Sequence, residues 1–163
     1  MRSIFFVFFL FLISATTLHA QKAGVTLGGG FGTEIKTFGL QGGGFYHLRE
    51  DIRVAADFTY YLTKQEKNFG LALFEDTWME VNLNGQFGYI PEDNIFLYSL
   101  AGLNLSFLEA VREQGIPSNE TKFGINLGGG FDFRRGIIGF YGEAKYTLFT
   151  DQVSVFVGSR LFF

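Results

Sequence analysis

Apolar and polar residues alternate with a period of two along most of residues 22–163. Ile52, Val54, Ala56, Phe58, Tyr60 and Leu62 share one parity, against Arg53, Ala55, Asp57, Thr59 and Tyr61. Met79, Val81, Leu83, Phe87 and Tyr89 oppose Trp78, Glu80, Asn82, Asn84 and Gln86. Phe123, Ile125, Leu127, Phe131 and Phe133 oppose Lys122, Asn126 and Asp132. Ile138, Phe140, Ala144, Tyr146 and Leu148 oppose Tyr141, Glu143, Lys145 and Thr147. Val153, Val155, Val157, Leu161 and Phe163 oppose Ser154, Gly158 and Arg160. This is the period of a β-strand, not of a helix. Three weaker segments complete a set of eight. Residues 22–32 carry Ala23, Val25, Leu27 and Phe31 on one face. Residues 36–47 carry Phe38, Leu40 and Tyr46 against Gln41 and His47. Residues 95–107 are apolar on both parities, which leaves their facing open, although Asn104 and Ser106 favour even positions turned inward.

The connections alternate in length. Leu48 to Asp51, Pro91 to Asn94 and Arg134 to Gly136 are short, whereas Thr63 to Asp76 and Leu108 to Thr121 are longer. Thr33–Ile35 and Phe149–Asp151 are short links within the second series. Pro91 and Pro117 both fall in connections by this reading, where strands tolerate proline. The pattern predicts an all-β fold, an eight-stranded antiparallel up-and-down barrel with both termini at one end.

Alternation alone also fits a soluble lipocalin-like carrier. The two barrels are inverted: a soluble one keeps its charges outside, a transmembrane one keeps them in the lumen. Here the apolar parity is almost free of charge, and the other holds Gly, Asn and Ser with isolated ions. Composition agrees. The chain has 22 Gly and 22 Phe, 18% charged residues and no Cys. Aromatics gather at strand ends, with Tyr46, Phe87, Tyr89, Phe133, Phe140 and Phe163 towards the short turns. Phe31, Phe38, Phe58, Tyr60 and Tyr146 lie towards the loops, so that two girdles mark two membrane interfaces. The expected exterior therefore meets lipid. A net charge of −3 gives no footprint for nucleic acid. The lack of Cys excludes disulfides, thiolate metal sites and a Cys nucleophile.

Residues 1–20 have a different grammar. Arg2 precedes an apolar run from Ile4 to Ile13, and small residues lead to Ala20. The run is too short to cross about 30 Å of hydrocarbon as a helix. It predicts a cleaved signal peptide, with the barrel domain spanning residues 21–163.

Leu127-Gly128-Gly129-Gly130-Phe131-Asp132, Tyr141-Gly142-Glu143-Ala144-Lys145-Tyr146 and the C-terminal Gly158-Ser159-Arg160-Leu161-Phe162-Phe163 carry a resemblance. The chain resembles the small eight-stranded outer-membrane barrels of Gram-negative bacteria. Among them it looks most like the outer-membrane β-barrel family of Bacteroidota, distantly akin to the OmpA transmembrane domain and OmpX. The resemblance implies an outer-membrane location, contact with outer-membrane lipid, and delivery by periplasmic chaperones. It also implies an assembly signal for the barrel-assembly machinery at Gly158, Leu161 and Phe163. Phe156 departs from that signal, which usually has a polar residue there.

The remaining motifs are weak. The GGGF string at Gly28, Gly42 and Gly128 lacks the Lys-Ser/Thr or helix start that a phosphate loop needs, so relief of a crowded lumen is expected instead. The inward charges Arg53, Asp57, Glu80, Asp132, Glu143, Lys145 and Arg160 could line a channel or form an ion-pair plug. An eight-stranded interior is filled by side chains, which favours the plug. His47 is the only histidine beyond residue 20, with no Ser two residues away, which speaks against a Ser/His lipid-modifying site and a His metal site. Asn119-Glu120-Thr121 matches a glycosylation sequon. The functional expectation is a non-enzymatic barrel without cofactor that acts structurally or through extracellular loops, with an extracellular partner left undefined. A narrow porin-like channel is the alternative, and a lipid-modifying enzyme a weaker one.

Overall fold

Period-two patterning becomes a closed wall. The structure is a computed structural model and describes residues 22–68, 72–91, 94–111 and 117–163. The signal-peptide reading falls outside the described residues, as do Phe69 and Leu71 of the first long connection. Eight antiparallel strands follow in chain order: β1 (Ala23–Gly32), β2 (Thr37–His47), β3 (Ile52–Asn68), β4 (Ala72–Pro91), β5 (Ile95–Val111), β6 (Pro117–Arg135), β7 (Ile138–Leu148) and β8 (Gln152–Phe162). Each pairs with its sequence neighbours, and β1 closes on β8 from Gly24↔Phe162 to Gly32↔Ser154. The start of β1 and the end of β8 meet at one end, where Ala23 and Phe163 exchange two backbone hydrogen bonds. We call this the terminal end and the opposite one the far end.

The facing of the residues follows the parity. Leu27, Leu40, Phe58, Leu83, Phe131 and Val157 stand exposed on the outer wall. Arg53, Glu80, Asn82, Asn126, Lys145 and Arg160 are buried in the lumen. In β5 the even positions Tyr98, Leu100, Asn104 and Ser106 are inward, so the open facing resolves to one register along the strand. Every aromatic assigned to the two girdles is exposed on the exterior.

Strand length departs from expectation. The segments read as long loops, 63–76 and 108–121, are mostly strand. β3 and β4 stay paired to Asn68↔Ala72, and β5 and β6 to Val111↔Pro117. Lys64 to Asn68 and Ser118 to Thr121 carry polar residues on both parities, so the alternation that marks a half-buried strand is missing there and the segments read as loops. Pro117 and Pro91 accordingly lie in strands, each as a terminal residue, where a missing N–H is tolerated. The β6–β7 turn is also tighter than expected. Arg135 pairs with Ile138, and Gly136 takes the left-handed φ of 68° that a two-residue hairpin requires.

The four central strands therefore outrun the others. They have 17 to 20 residues, against 10 or 11 in β1, β2, β7 and β8. β3 loses its β2 neighbour at Tyr61, where its register with β4 also shifts, and β6 loses β7 at Ile125. Beyond these points β3, β4, β5 and β6 form a raised four-stranded sheet with two open edges. From Tyr61 to Asn68 β3 runs on for about 20 Å of strand, at roughly 3.3 Å per residue.

Candidate functional site

Strand parity aims the polar side chains of the wall at one another, and the lumen fills with two hydrogen-bonded clusters. The cluster near the terminal end is built on Asp132 of β6. It accepts from Arg53 Nη1 at 2.5 Å and from Arg160 Nη1. Arg53 Nε donates to Gln86, which donates on to Glu143 at 3.1 Å. Tyr98 donates to Glu143 at 2.8 Å, and Arg160 lies 3.8 Å from the same carboxylate. Two guanidinium groups thus face two carboxylates. Buried charge is tolerated when it is paired and hydrogen-bonded in this way.

Aromatic rings wrap the same cluster. The Arg53 guanidinium lies 4.8, 4.9 and 4.9 Å from the centroids of Phe45, Phe96 and Tyr98. Phe45 stacks edge-on against Phe162 at 5.2 Å, and His47 against Phe96 at 5.7 Å. These rings form a floor across the terminal end.

The second cluster lies towards the far end. Asp57 accepts from Gln41 at 3.0 Å and Asn82 at 2.9 Å, with Lys145 Nζ 3.6 Å away. An amide ladder continues from it. Asn104 and Asn126 both donate to Asn82 Oδ1 at 2.8 Å, and Thr147 donates to Asn126. Above it, Ile35 of the β1–β2 turn packs with Tyr61, Trp78 and Phe156 as a roof. Phe156, the residue that departs from the expected C-terminal signal, is fully buried in this roof. Its parity places it with Ser154 and Arg160 on the inner face, where a ring can lie over Gly30.

All seven charges predicted for the lumen are inside it, but among the described residues Lys145 Nζ makes only its ion pair with Asp57 and Glu80 makes no bond at all. Glu80 is 0% exposed, and neither of its carboxylate oxygens has a hydrogen-bond partner among the described residues. Lys145 and Asp57 are the charges that face it. Sequence reasoning missed the aromatic floor and roof, because Phe45, Phe156 and Phe162 were not separated from the outward Phe residues. It also missed the roles of Tyr98 and the Asn ladder. Their signal was the polar parity itself.

The glycine strings serve two different surfaces. A Cβ on Gly30 would come within 2.7 Å of the Phe156 ring, and one on Gly28 within 2.8 Å of the Val157 carbonyl. Those positions fit the reading of a crowded lumen. Gly42 is different, because a Cβ there meets nothing. The predicted C-terminal signal residues divide likewise: Leu161 and Phe163 are exposed outside, and Gly158 packs against β1 and Tyr141.

An apolar exterior around a polar, plugged lumen defines the class of small eight-stranded membrane barrels. No protein-family model matches this sequence, and no curated protein does. Solved structures do match. Ail, the attachment invasion locus protein of Yersinia pestis, is 15% identical with a TM-score of 0.66, covering 89% of this chain and 100% of that one. Ail has also been solved in complex with the heparin analogue sucrose octasulfate. The N-terminal β-barrel domain of Pseudomonas aeruginosa OprF is 15% identical, TM-score 0.64, covering 89% and 100%. Neisserial surface protein A is 16% identical, TM-score 0.62, covering 86% and 95%. At such identities the likeness concerns the fold.

Proposed function

We propose that this chain is an integral outer-membrane barrel whose lumen is structural and whose working surface is the raised sheet of β3 to β6. One observation carries the reading. The four central strands continue beyond the apolar wall as a sheet with open edges, while the lumen below is plugged. A barrel needed only as a membrane plug gains nothing from such a sheet. Glu120 and Lys122 place charges along the open β6 edge, which guards it against pairing between copies. In this orientation the terminal end faces the periplasm and the far end the medium. The chain is of the Bacteroidota type and acts without enzymatic chemistry. Residues 1–20 are removed on export, periplasmic chaperones carry the chain, and Gly158, Leu161 and Phe163 engage the barrel-assembly machinery.

The test has two stages. In fractionated cells the chain is expected in the outer membrane and to migrate differently on a gel before and after boiling. Cells displaying the full chain are then compared with cells displaying a barrel whose two long hairpins are cut back to Thr63–Thr77 and Phe107–Lys122. Retention on immobilised heparin, the polyanion whose analogue was solved on Ail, is expected to fall with the cut. Equal retention would remove the sheet from the function, and a soluble periplasmic band would remove the membrane reading altogether.

A further inference from the structure

On the short side of the far end stands an aromatic residue with a left-handed backbone, the only one among the described residues. The β7–β8 connection is Phe149-Thr150-Asp151, and Phe149 and Asp151 both have left-handed backbones, with φ of 71° and 51°. Glycine or asparagine ordinarily takes such a position, and an aromatic residue there is rare. The turn is nevertheless well tied. Tyr146 Oη donates to Asp151 Oδ1 at 2.6 Å, and Thr150 is buried with its hydroxyl donating to the Thr147 carbonyl. Across the seam, Glu34 N donates to Gln152 Oε1 at 2.8 Å and Thr33 N to the Val153 carbonyl at 2.9 Å. The strain has one visible product. It holds the Phe149 ring 72% exposed, with Thr150 turned in beside it.

The ring continues a surface already described. Tyr146, three residues earlier, is exposed on the outer wall and belongs to the far-end girdle. Phe31 and Phe38 of the adjoining hairpin form an edge-to-face pair at 5.4 Å in the same girdle. The bond from the Tyr146 hydroxyl to Asp151 marks the height at which the wall turns polar. Phe149 lies in the same turn, next to Leu148, where β7 parts from the β6 strand that continues past it. Backbone strain at a bulky exposed residue points to a surface the residue serves.

We propose that Phe149 is a lipid anchor, held outward by its left-handed turn so that its ring enters the headgroup boundary of the outer leaflet. The proposal rests on the membrane reading above. Aromatic rings favour that boundary, where one edge meets hydrocarbon and the other stays wet. The ring pins the depth of the short side, and the raised sheet that begins at the neighbouring β6 stands clear of the bilayer.

The chain has no cysteine, so single thiols report single places. Phe149→Cys and Val155→Cys are each labelled with an environment-sensitive fluorophore and folded into phosphatidylcholine vesicles. Lipids carrying a nitroxide at the headgroup or deep in the acyl chain, and aqueous iodide, serve as quenchers. The expected result is that deep nitroxide quenches the label at 155 most, and headgroup nitroxide the label at 149. Quenching at 149 by iodide alone, with 155 still quenched by deep nitroxide, would overturn the anchor and leave the membrane reading intact. No lipid quenching at 155 would overturn both. A second variant, Phe149→Gly, suits the left-handed turn and therefore folds. Its urea midpoint in vesicles is expected to fall below that of the parent. A raised midpoint would mean that the ring contributes only strain, and would sink the anchor.

Discussion

At the scale of single residues, the lumen is decided by who partners whom. Asp132 holds two guanidinium groups, so removing it takes the carboxylate from Arg53 and leaves Arg160 only Glu143. Asp132→Ala is expected to lower unfolding stability by about 3–5 kcal/mol, the usual cost of breaking a buried pair. Urea titration of the vesicle-folded protein measures this, and an unchanged midpoint would mean that water already screens the cluster. The glycines give a paired contrast. Gly30→Ala pushes a methyl group into the Phe156 ring and is expected to cost about 1–3 kcal/mol. Gly42→Ala meets open space and is expected to stay within about 0.5 kcal/mol of the parent. If the two variants unfold alike, close packing over β1 is not what these glycines provide. The positions of the lumen charges were legible in the sequence, because an ion among apolar neighbours on the opposite parity has one place to go. Their pairing was not. It depends on which strands meet across the barrel, as when Arg53 of β3 reaches Asp132 of β6, and no local pattern encodes that distance.

At the scale of the element, the apolar wall sets one length and the hairpins another. Leu127 and Val155 both stand exposed on the wall. Arginine at either position would place a charge in hydrocarbon, at about 2–4 kcal/mol near the midplane. Folding yield into vesicles, read by the gel shift, is expected to fall for both variants; parental yields would mean that the wall does not face lipid. Strand identity and facing were legible wherever one face is apolar and the other polar, as in 52–62 and 138–148. The ends of the long hairpins were hidden, because Lys64 to Asn68 and Ser118 to Thr121 carry polar residues on both parities. The two-residue turn at Gly136 was nearly placed, since a glycine between strands marks a tight reversal.

At the scale of the whole molecule, aromatic side chains close the barrel towards both ends. Phe45, Phe96 and Phe162 close one end, Ile35, Tyr61, Trp78 and Phe156 the other, and a small cavity lined by Thr26, Gln41, Asp57, Gln86, Glu143 and Arg160 lies between. Planar-bilayer recordings of the folded protein are expected to show no discrete conductance steps, and regular steps at low voltage would restore the narrow channel as the better reading. The uneven rim carries a different consequence. Seen down its axis, the molecule has a front and a back: a high wall from β3 to β6 and a low sill from β7 round to β2. The part of a neighbour that stands outside the bilayer can overhang the sill but is stopped by the wall. A partner gripping the wall therefore also dictates which way the sill looks, and rotation within the membrane plane becomes something that binding can arrest.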